Sequence, residues 1–441
     1  MQQDFKEQSD ELAGMLTDSR KRTLELVSDL TDEQMLGPQL RIVNPPLWEI
    51  GHLAWFQERW NLRRLTDEEF RPSNVLDQGD ALYDSMEVAH DTRWDLPLLS
   101  REETLAYMQR VLDLSLNKLR VEGPNSETDY FIRLATFHED MHGEAFTYTR
   151  HTHGLAAPQI SDYDPKVLKG QPTGPLEGDV KIPGGKFMLG ATPDMDFVFD
   201  NEKWAHPVEV APFEMARAPV TNEQFAAFVD DGGYELKELW SDEGRSWLQD
   251  TGAQHPVYWS RRDGEWNRRH FDKTEPLPPH QPIIHVNWHE AGAYCRWAGR
   301  RLPTETEWEL AASAEPASGG DGITGRKRLY PWGDERITPD RANLDGRLLG
   351  LADVAAFPEG DSAFGLRQMM GNTWEWCSDN FGPYPGFVRD PYKDYSEPWF
   401  GDHKVMRGGC WATRGRMLRN TWRNFGMPDR RDILAGFRTC A

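Results

Sequence analysis

The chain has 441 residues and a formal net charge of −22 at pH 7. This length predicts two domains, and the acidic balance argues against a nucleic-acid partner, because phosphate binding needs a concentrated basic face. No stretch approaches the apolar length of a membrane helix and the first residues lack a signal-peptide core, so we expect no membrane partner. Four widely spaced cysteines without a CxxC pair indicate a reduced, cytoplasmic setting.

The first part of the chain, residues 1–155, is predicted to be helical. Asn44 followed by two prolines suits a helix start, and Ser100 with Glu103 resembles a capping box. Four helices of this length predict an antiparallel bundle. Apolar residues recur at three- and four-residue spacing within residues 4–29, 46–65, 101–121 and 124–150.

Two histidines of the fourth helix, His138 and His142, lie one turn apart, so both imidazoles leave the same face. A third, His52, lies in the second helix on an apolar stripe with Trp48 and Phe56. Three neutral nitrogen ligands on one side of a divalent ion would leave positions open for substrate and O2. The alternative is a polar pair without a metal, which is the commoner origin of a lone HxxxH.

Acidic side chains accompany the histidine pair and are candidate acceptors for the outer ring N–H groups of metal-bound imidazoles. They are Glu139, Asp140 and Glu144. The identity of the metal stays open at this point, because zinc or nickel would suit three imidazoles as well as iron does.

Residues 156–177 are rich in proline and glycine and have no periodicity, which predicts a linker. Within residues 178–441, short strand-like runs alternate with turns, and helices are expected only at 221–230, 289–298 and 305–312. This part is predicted to be an irregular α+β domain. Arginines cluster near its C-terminal end, and they indicate either a local anion pocket or a set of structural ion pairs.

The second domain resembles the formylglycine-generating-enzyme-like fold, also called the sulfatase-modifying-factor or C-type-lectin-like fold. The resemblance rests on seven ordered motifs: GGKFMLG at 184–190, APVTNEQFAAFV at 218–229, the segment 282–312, YPWGD at 330–334, GNTWEWCSD at 371–379, RGGCWAT at 407–413 and GFRTC at 436–440. Copper-dependent formylglycine formation needs a close cysteine pair. Cys410 has no second cysteine close behind it, so we do not expect that activity.

The first domain resembles the DinB-like four-helix bundle, whose hallmark is a three-histidine metal site. The combination of the two domains resembles the ergothioneine-type sulfoxide synthases and the selenoneine synthases, with the overall pattern nearer to the selenoneine branch. This resemblance implies an iron-dependent oxidoreductase that uses Fe(II) and O2 to join a sulfur or selenium donor to the imidazole C2 of hercynine. The implied iron ligands are His52, His138 and His142.

The resemblance also implies substrate-binding residues. Asn424 matches an asparagine that contacts hercynine, and Phe425 replaces a tryptophan of mycobacterial-type members. Gly426 replaces an aspartate, and Met141 stands where those members have a glutamine. A glutamyl-peptide donor needs matched charges in its site. We therefore predict a selenosugar donor rather than γ-glutamylcysteine, with an ergothioneine-type reaction on cysteine or another thiol as the alternative.

The family's catalytic tyrosine is expected between Cys377 and Arg407, which makes Tyr384 the candidate and Tyr83 its rival. Aromatic faces are expected to hold the trimethylammonium group of hercynine. Further substrate-binding candidates near the C-terminal end are Trp411, Trp422 and Arg423, beside Phe425. Ordinary packing beneath a C-terminal loop is the competing interpretation of these side chains.

Two other functions are compatible with the sequence. A zinc-dependent DinB-type thiol transferase would use the metal to activate a thiolate. Alternatively, the second domain is a binding module that catalyses no reaction, since related irregular folds bind ligands without chemistry. Metal content and the effect of a His138 substitution on ligand binding distinguish these functions from the oxygenase.

Overall fold

The computed structural model describes residues 2–441. The chain divides into two compact units, one ending at Ser161 and one from Asp162 to Ala441. The first unit is all-α and the second is an irregular α+β domain, which confirms the predicted fold class. In the part of the chain that the structure describes, no helix combines the length and the apolar character needed to cross a bilayer.

The first unit is a bundle in which α1 packs against α6, and α3 packs against both α5 and α6. The helices are α1 (Gln2–Val27), α2 (Asp32–Leu36), α3 (Pro46–Glu58), α4 (Gly79–Tyr83), α5 (Arg101–Glu122) and α6 (Ser126–His153). A π-helical turn, Arg59–Arg63, continues α3. Nearly every residue of α3 is buried, because neighbouring helices cover it on several sides. The four predicted helices are confirmed.

The helix ends follow from local chemistry. Pro46 occupies the first turn of α3, where its missing N–H costs no hydrogen bond. The predicted capping box of α5 is present: the Ser100 hydroxyl accepts from the Glu103 amide, and the Glu103 carboxylate accepts from the Ser100 amide at 2.9 Å. The Asn125 side chain caps α6 by accepting from the amides of Glu127 and Thr128. Gly154 ends that helix in the left-handed conformation.

Arg93 is one of the residues that anchor the long connection between the π-helical turn and α5. The guanidinium of Arg93 donates to the Asn44 side chain at 2.7 Å and to the Val88 carbonyl at 3.1 Å. It also lies over the Trp48 ring at 3.9 Å. The connection is therefore bonded to the start of α3.

The second unit has short strands and four helices among its described residues. The strands are β1 (Asp179–Ile182), β2 (Gly185–Leu189), β3 (His206–Val210), β4 (Phe213–Ala216), β5 (Trp259–Arg262), β6 (Glu265–His270), β7 (Lys273–Pro276), β8 (Ala314–Pro316), β9 (Ile323–Lys327), β10 (Trp374–Asn380), β11 (Lys404–Arg407), β12 (Asn424–Gly426) and β13 (Ala435–Gly436). The helices are α7 (Asn222–Asp230), α8 (Asp242–Thr251), α9 (Trp288–Trp297) and α10 (Glu305–Ser313). The largest sheet has the order β12–β11–β10–β13, in which only the β10–β13 pair is parallel.

Helix α10 packs against β2, β10 and β11, and this contact forms the main core of the second unit. Trp308 of α10 and Cys377 of β10 are fully buried there. The three predicted helices correspond to α7, α9 and α10. Helix α8 was not predicted, because its sequence is mostly polar and only Gly244 and Trp247 are buried.

The C-terminal arginines form structural ion pairs in the interior of the second unit. Arg407 donates to Glu305 at 2.7 Å and to Glu309 at 2.6 Å, with all three side chains buried. Arg438 donates to both oxygens of Glu375 at 2.7 Å. Unpaired buried charges would be costly, so these carboxylates account for the arginines better than an anion pocket does.

Part of the predicted linker, residues 156–177, is hydrogen-bonded to the second unit. The amide of Asp164 donates to the Arg347 carbonyl at 2.8 Å, and the amide of Gly174 donates to Asp353 at 2.9 Å. The Gln171 side chain accepts from a main-chain amide of the second unit. Proline and glycine remove helical periodicity, and the sequence pattern therefore does not distinguish a bonded loop from a linker.

Two helical glycines of the first unit give a matched test of packing. A Cβ on Gly51 of α3 would lie 2.3 Å from a ring carbon of Tyr83, whereas a Cβ on Gly14 of α1 would meet nothing within 4 Å. We expect Gly51→Ala to destabilise the helical unit by about 1–3 kcal/mol. Gly14→Ala should stabilise it by roughly 0.5–1 kcal/mol. Calorimetric unfolding of the full chain measures both, and equal effects would contradict the described packing.

Candidate metal centre

Three histidines converge between α3 and α6. His52 lies on α3, and His138 and His142 lie on α6. One ring nitrogen from each lies within 4.8 Å of the other two. His52 and His138 are buried, and the His142 side chain keeps 19% of its surface exposed. The structure thus brings together the three residues that the sequence predicts as ligands and leaves one of them accessible.

The spacing of the nitrogens fits a shared ion. The Nε2 atoms of His52 and His138 are 3.3 Å apart. Two imidazole nitrogens that bind one divalent ion at about 2.1 Å lie about 3.0–3.4 Å from each other, depending on the coordination angle. His52 and His138 are therefore already at the separation of two ligands of one ion.

The orientation of His52 is fixed by its surroundings. Its Nδ1–H donates to the main-chain carbonyl of Tyr83 at 2.7 Å, so the lone pair lies on Nε2. The imidazole stacks on the Trp48 ring at 5.0 Å and on the Trp55 ring at 5.6 Å. This arrangement points the metal-binding nitrogen away from the end of α4, where Tyr83 lies.

His142 and His138 are held by different contacts. The Nδ1–H of His142 donates to the carboxylate of Glu49 at 2.5 Å, and Glu49 is 1% exposed. A buried carboxylate at this place fixes the ring and makes its other nitrogen a stronger ligand. The His138 ring lies flat against Phe56 at 3.6 Å.

The electrostatics favour the form of the imidazoles that binds a metal. Burial lowers the pKa of His52 and of His138 well below the ordinary value, and the neighbouring His142 lowers both further. Neutral imidazoles have the free lone pair that a metal needs. Three imidazole ligands leave the ion's remaining positions to small molecules, which is the arrangement of a catalytic rather than a structural site.

Two of the three predicted acidic acceptors on α6, Glu139 and Asp140, bond to side chains of α1. Glu139 receives the Arg20 guanidinium at 2.8 Å, and Asp140 receives the Ser19 hydroxyl at 3.0 Å. These side chains face α1, because the residues that follow His138 turn to another side of the helix. Glu49 takes the predicted role instead. The sequence contained a signal for it, since a carboxylate three residues before His52 lies on the same face of an otherwise apolar helix.

Of the two tyrosines predicted as catalytic candidates, Tyr83 lies beside the histidines. Its ring is fully buried against Gly51, and burial raises its pKa to about 12. Its contribution to the centre is the carbonyl that orients His52. Met141, predicted as substrate-binding, is half-buried on α6 next to His142.

Four other predicted residues lie in the interior of the second unit: Tyr384, Trp411, Trp422 and Arg423. Arg423 donates to Glu305 at 2.7 Å and 2.9 Å and lies over the Tyr384 ring at 4.1 Å. Burial raises the pKa of Tyr384 well above its ordinary value. The contacts of these four residues are those of a packed core.

Asn424 and Phe425 of β12 are half-buried. The Asn424 side-chain oxygen accepts from the Phe425 amide at 2.8 Å, which leaves its amide hydrogens for another partner. Phe425 belongs to an aromatic cluster, stacked on Phe381 at 4.3 Å with Tyr395 at 5.2 Å and His403 at 5.6 Å.

The next residue, Gly426, is buried, and a Cβ there would lie 3.1 Å from Trp376 and 3.3 Å from Met406. An aspartate at this position would therefore require these neighbours to move.

Family comparisons agree with this division of the chain. Residues 164–441 match the sulfatase-modifying factor enzyme 1-like domain, and residues 15–145 match the DinB superfamily. Among solved structures, PvdO from Pseudomonas aeruginosa is similar at 25% identity with a TM-score of 0.40, over 59% of this chain and 93% of that one.

Whole-chain relatives carry the name hercynine oxygenase. The protein of Mycolicibacterium thermoresistibile is 38% identical over 439 residues, covering 97% of this chain and 94% of that one. The protein of Mycobacterium tuberculosis is 37% identical over 431 residues, covering 97% and 98%. A formylglycine-generating enzyme of Streptomyces coelicolor is 34% identical, but over 60% of this chain.

The Glu49 carboxylate yields a prediction about metal affinity. Glu49→Gln keeps a side-chain oxygen near His142 and removes the negative charge, so we expect divalent-metal affinity to fall roughly 10- to 100-fold. His138→Ala removes one of the three metal ligands, so its metal affinity is the reference for a site that no longer binds. Metal titration of the full chain followed by elemental analysis measures both.

Glu139→Gln is the matched control. It makes the same change in a buried carboxylate of α6 that bonds to Arg20 instead of an imidazole. We expect unchanged metal affinity in this variant, even where its unfolding temperature falls. Equal losses in the Glu49 and Glu139 variants would contradict the role given to Glu49.

Proposed function

We propose a reaction for this chain from one premise: the chain belongs to the hercynine oxygenase family, whose members it matches along nearly its whole length. The protein is an enzyme. We propose that it binds Fe(II) through His52, His138 and His142 and joins a selenium or sulfur donor to the imidazole C2 of hercynine, with O2 as the oxidant. The observation that carries the proposal is the cluster of three histidines, of which His142 keeps an accessible edge.

The proposed reaction balances without another reductant. The C2–H bond of hercynine and the Se–H or S–H bond of the donor break, and the carbon–chalcogen bond forms. One oxygen atom of O2 goes to the chalcogen and the other leaves as water, which takes up both hydrogens. Iron, when bound, supplies the redox chemistry that the side chains lack.

The residues of the helical unit prepare this chemistry by position and charge. Tyr83 and Glu49 fix the outer nitrogens of His52 and His142, which turns their inner nitrogens toward a common point. Trp48, Trp55 and Phe56 cover the site and exclude water from its inner side. In this proposal Tyr83 is a positioning residue, because it acts through its main-chain carbonyl, which holds the metal ligand His52.

We assign hercynine binding to the surface around Asn424 and Phe425. The trimethylammonium group of hercynine cannot donate a hydrogen bond, so aromatic faces are its natural partners. The half-buried cluster of Phe425 and Tyr395 offers such faces, and the Asn424 amide offers hydrogens for a carboxylate.

The donor is the finer part of the proposal. We propose a selenosugar rather than γ-glutamylcysteine, because a glutamyl peptide needs paired charges. Gly426 offers no charged side chain, and one at this position would press on Trp376 and Met406. The competing candidate is cysteine or another thiol donor. A donor panel separates the two.

In that panel, iron-loaded enzyme receives hercynine and O2 with a selenosugar, a thiosugar, cysteine or γ-glutamylcysteine, and products are identified by mass. We expect a hercynine–selenosugar adduct carrying one added oxygen and no adduct with γ-glutamylcysteine. Efficient turnover of γ-glutamylcysteine, with none of the selenosugar, would return the chain to the sulfur branch. Absence of every adduct in protein that binds iron would reject the reaction itself.

Asn424→Ala tests the hercynine surface. A lost polar partner in a desolvated pocket costs about 1–3 kcal/mol, so we expect the KM for hercynine to rise roughly 5- to 150-fold. Asn380→Ala removes an exposed asparagine of β10 that bonds to Lys404, and it should leave this KM unchanged. An unaltered KM in the Asn424 variant would place the hercynine site elsewhere.

A further inference from the structure

A second cavity lies within the helical unit, further along α3 than the three histidines. Its volume is about 280 Å³, close to the lower end of small-molecule pockets. The π-helical turn, the end of α5 and the start of α6 bound it. Asn61 in its wall is nine residues beyond His52, which at the helical rise corresponds to about 13 Å. The cavity is therefore separate from the metal centre.

Aromatic rings fill the space between the cavity and the histidines. Phe56 stacks on His138, Trp60 lies 6.1 Å from Phe56, and Phe131 stacks on Trp60 at 5.5 Å. Trp60 and Phe131 form part of the cavity wall. These rings separate the two sites, and they leave the cavity with its own set of polar groups.

Two buried polar side chains in the wall have no hydrogen-bond partner. Asn61 is 6% exposed, and both its side-chain oxygen and its side-chain nitrogen are unpaired. Ser115 of α5 is 2% exposed, and its hydroxyl is unpaired as well. Buried polar groups in folded proteins are nearly always bonded. Two such groups facing one cavity indicate a polar occupant that completes their hydrogen bonds.

The π-helical turn explains how Asn61 is held in this position. The ammonium of Lys118 donates to the main-chain carbonyl of Asn61 at 2.7 Å. Single π-helical turns inside helices are rare, and they are frequent at functional sites. The side chain of Asn61 is therefore fixed by its backbone rather than by a partner of its own.

Charge indicates which polar occupant fits. The wall contains three cationic side chains, Arg64, Arg71 and Lys118. It also contains Asn125 and Thr128 at the start of α6, where the helix dipole is positive. Arg64 is bonded to Asp67 and Glu127, whereas Arg71 is exposed. Lys118 also lies 4.0 Å from Glu122 of the same wall. The three cations of the wall exceed its two carboxylates, Glu122 and Glu127, so in a chain of net charge −22 the wall keeps a local positive balance that suits an anion.

We propose that this cavity is a second ligand site, and that it binds a small organic carboxylate. The carboxylate would accept from the Asn61 amide and the Ser115 hydroxyl, with Lys118 and Arg71 supplying the positive charge. The site stands on the wall residues alone and does not depend on the reaction at the metal centre.

The test uses the full-length, metal-loaded protein and two carboxylate probes, succinate and L-glutamate, with succinamide as the neutral analogue of succinate. We expect saturable binding of at least one carboxylate by calorimetry and none of succinamide. L-Glutamate adds an ammonium, which Glu122 in the wall could pair, so its affinity relative to succinate shows whether a zwitterion is preferred. No binding of either carboxylate would overturn the proposal.

Variants connect the binding to the cavity. We expect Asn61→Leu to weaken the bound carboxylate at least tenfold, and Ser115→Ala to weaken it severalfold. Asn117→Leu, the same change at an exposed residue of α5, should leave it unchanged. Equal affinity in the Asn61 and Asn117 variants would mean that the probe binds elsewhere and would reject the site.

The unfolding temperature of the ligand-free protein gives a second readout. Asn61→Leu removes two unpaired polar atoms and keeps the carbonyl that Lys118 binds, so it should raise this temperature while abolishing the increase caused by the carboxylate. A lower unfolding temperature in both Asn61→Leu and Ser115→Ala, together with no carboxylate binding, would show that ordered water already satisfies these groups. That outcome would reject the carboxylate site.

Discussion

The metal centre depends on one physical constraint: three imidazoles packed together in the protein interior must keep orientations that direct one nitrogen of each toward a shared ion. Two buried acceptors meet this constraint. The Tyr83 carbonyl takes the outer proton of His52, and the Glu49 carboxylate takes that of His142. Burial lowers the pKa of His52 and His138, so protonation does not compete with a metal. Without these acceptors, the rings of His52 and His142 would lose the hydrogen bonds that set their orientation.

The same constraint explains why the helical unit is built as it is. Helix α3 carries His52, its carboxylate partner Glu49 and the aromatic rings that cover the imidazoles, and nearly all of its surface is buried. The short helix α4 ends at Tyr83, which presents its carbonyl to His52 and its ring to Gly51. The long connection before α5 is therefore part of the centre, and this accounts for its anchoring by Arg93.

The second unit follows a different principle. Its strands are short and its loops long, so hydrogen bonds of regular structure cannot by themselves order the chain. Buried arginine–carboxylate pairs supply additional fixed points, with Arg407, Arg423 and Arg438 bonded to glutamates of α10 and β10. Such pairs require accurate geometry, because a charge left without its partner in the interior is strongly destabilising. The half-buried aromatic surface around Phe425 rests on this framework.

The sequence by itself determined the helical unit, the three histidines and the irregular second unit, because helical periodicity, one-turn spacing and ordered motifs are local properties of the chain. Only the tertiary structure decided which acceptors serve the imidazoles: Glu139 and Asp140 are nearest to His138 along the chain, yet Arg20 and Ser19 bind them. It also decided that the C-terminal arginines pair with glutamates of α10 and β10. Both outcomes depend on contacts between distant segments, and neither periodicity nor composition records which segments meet in the fold.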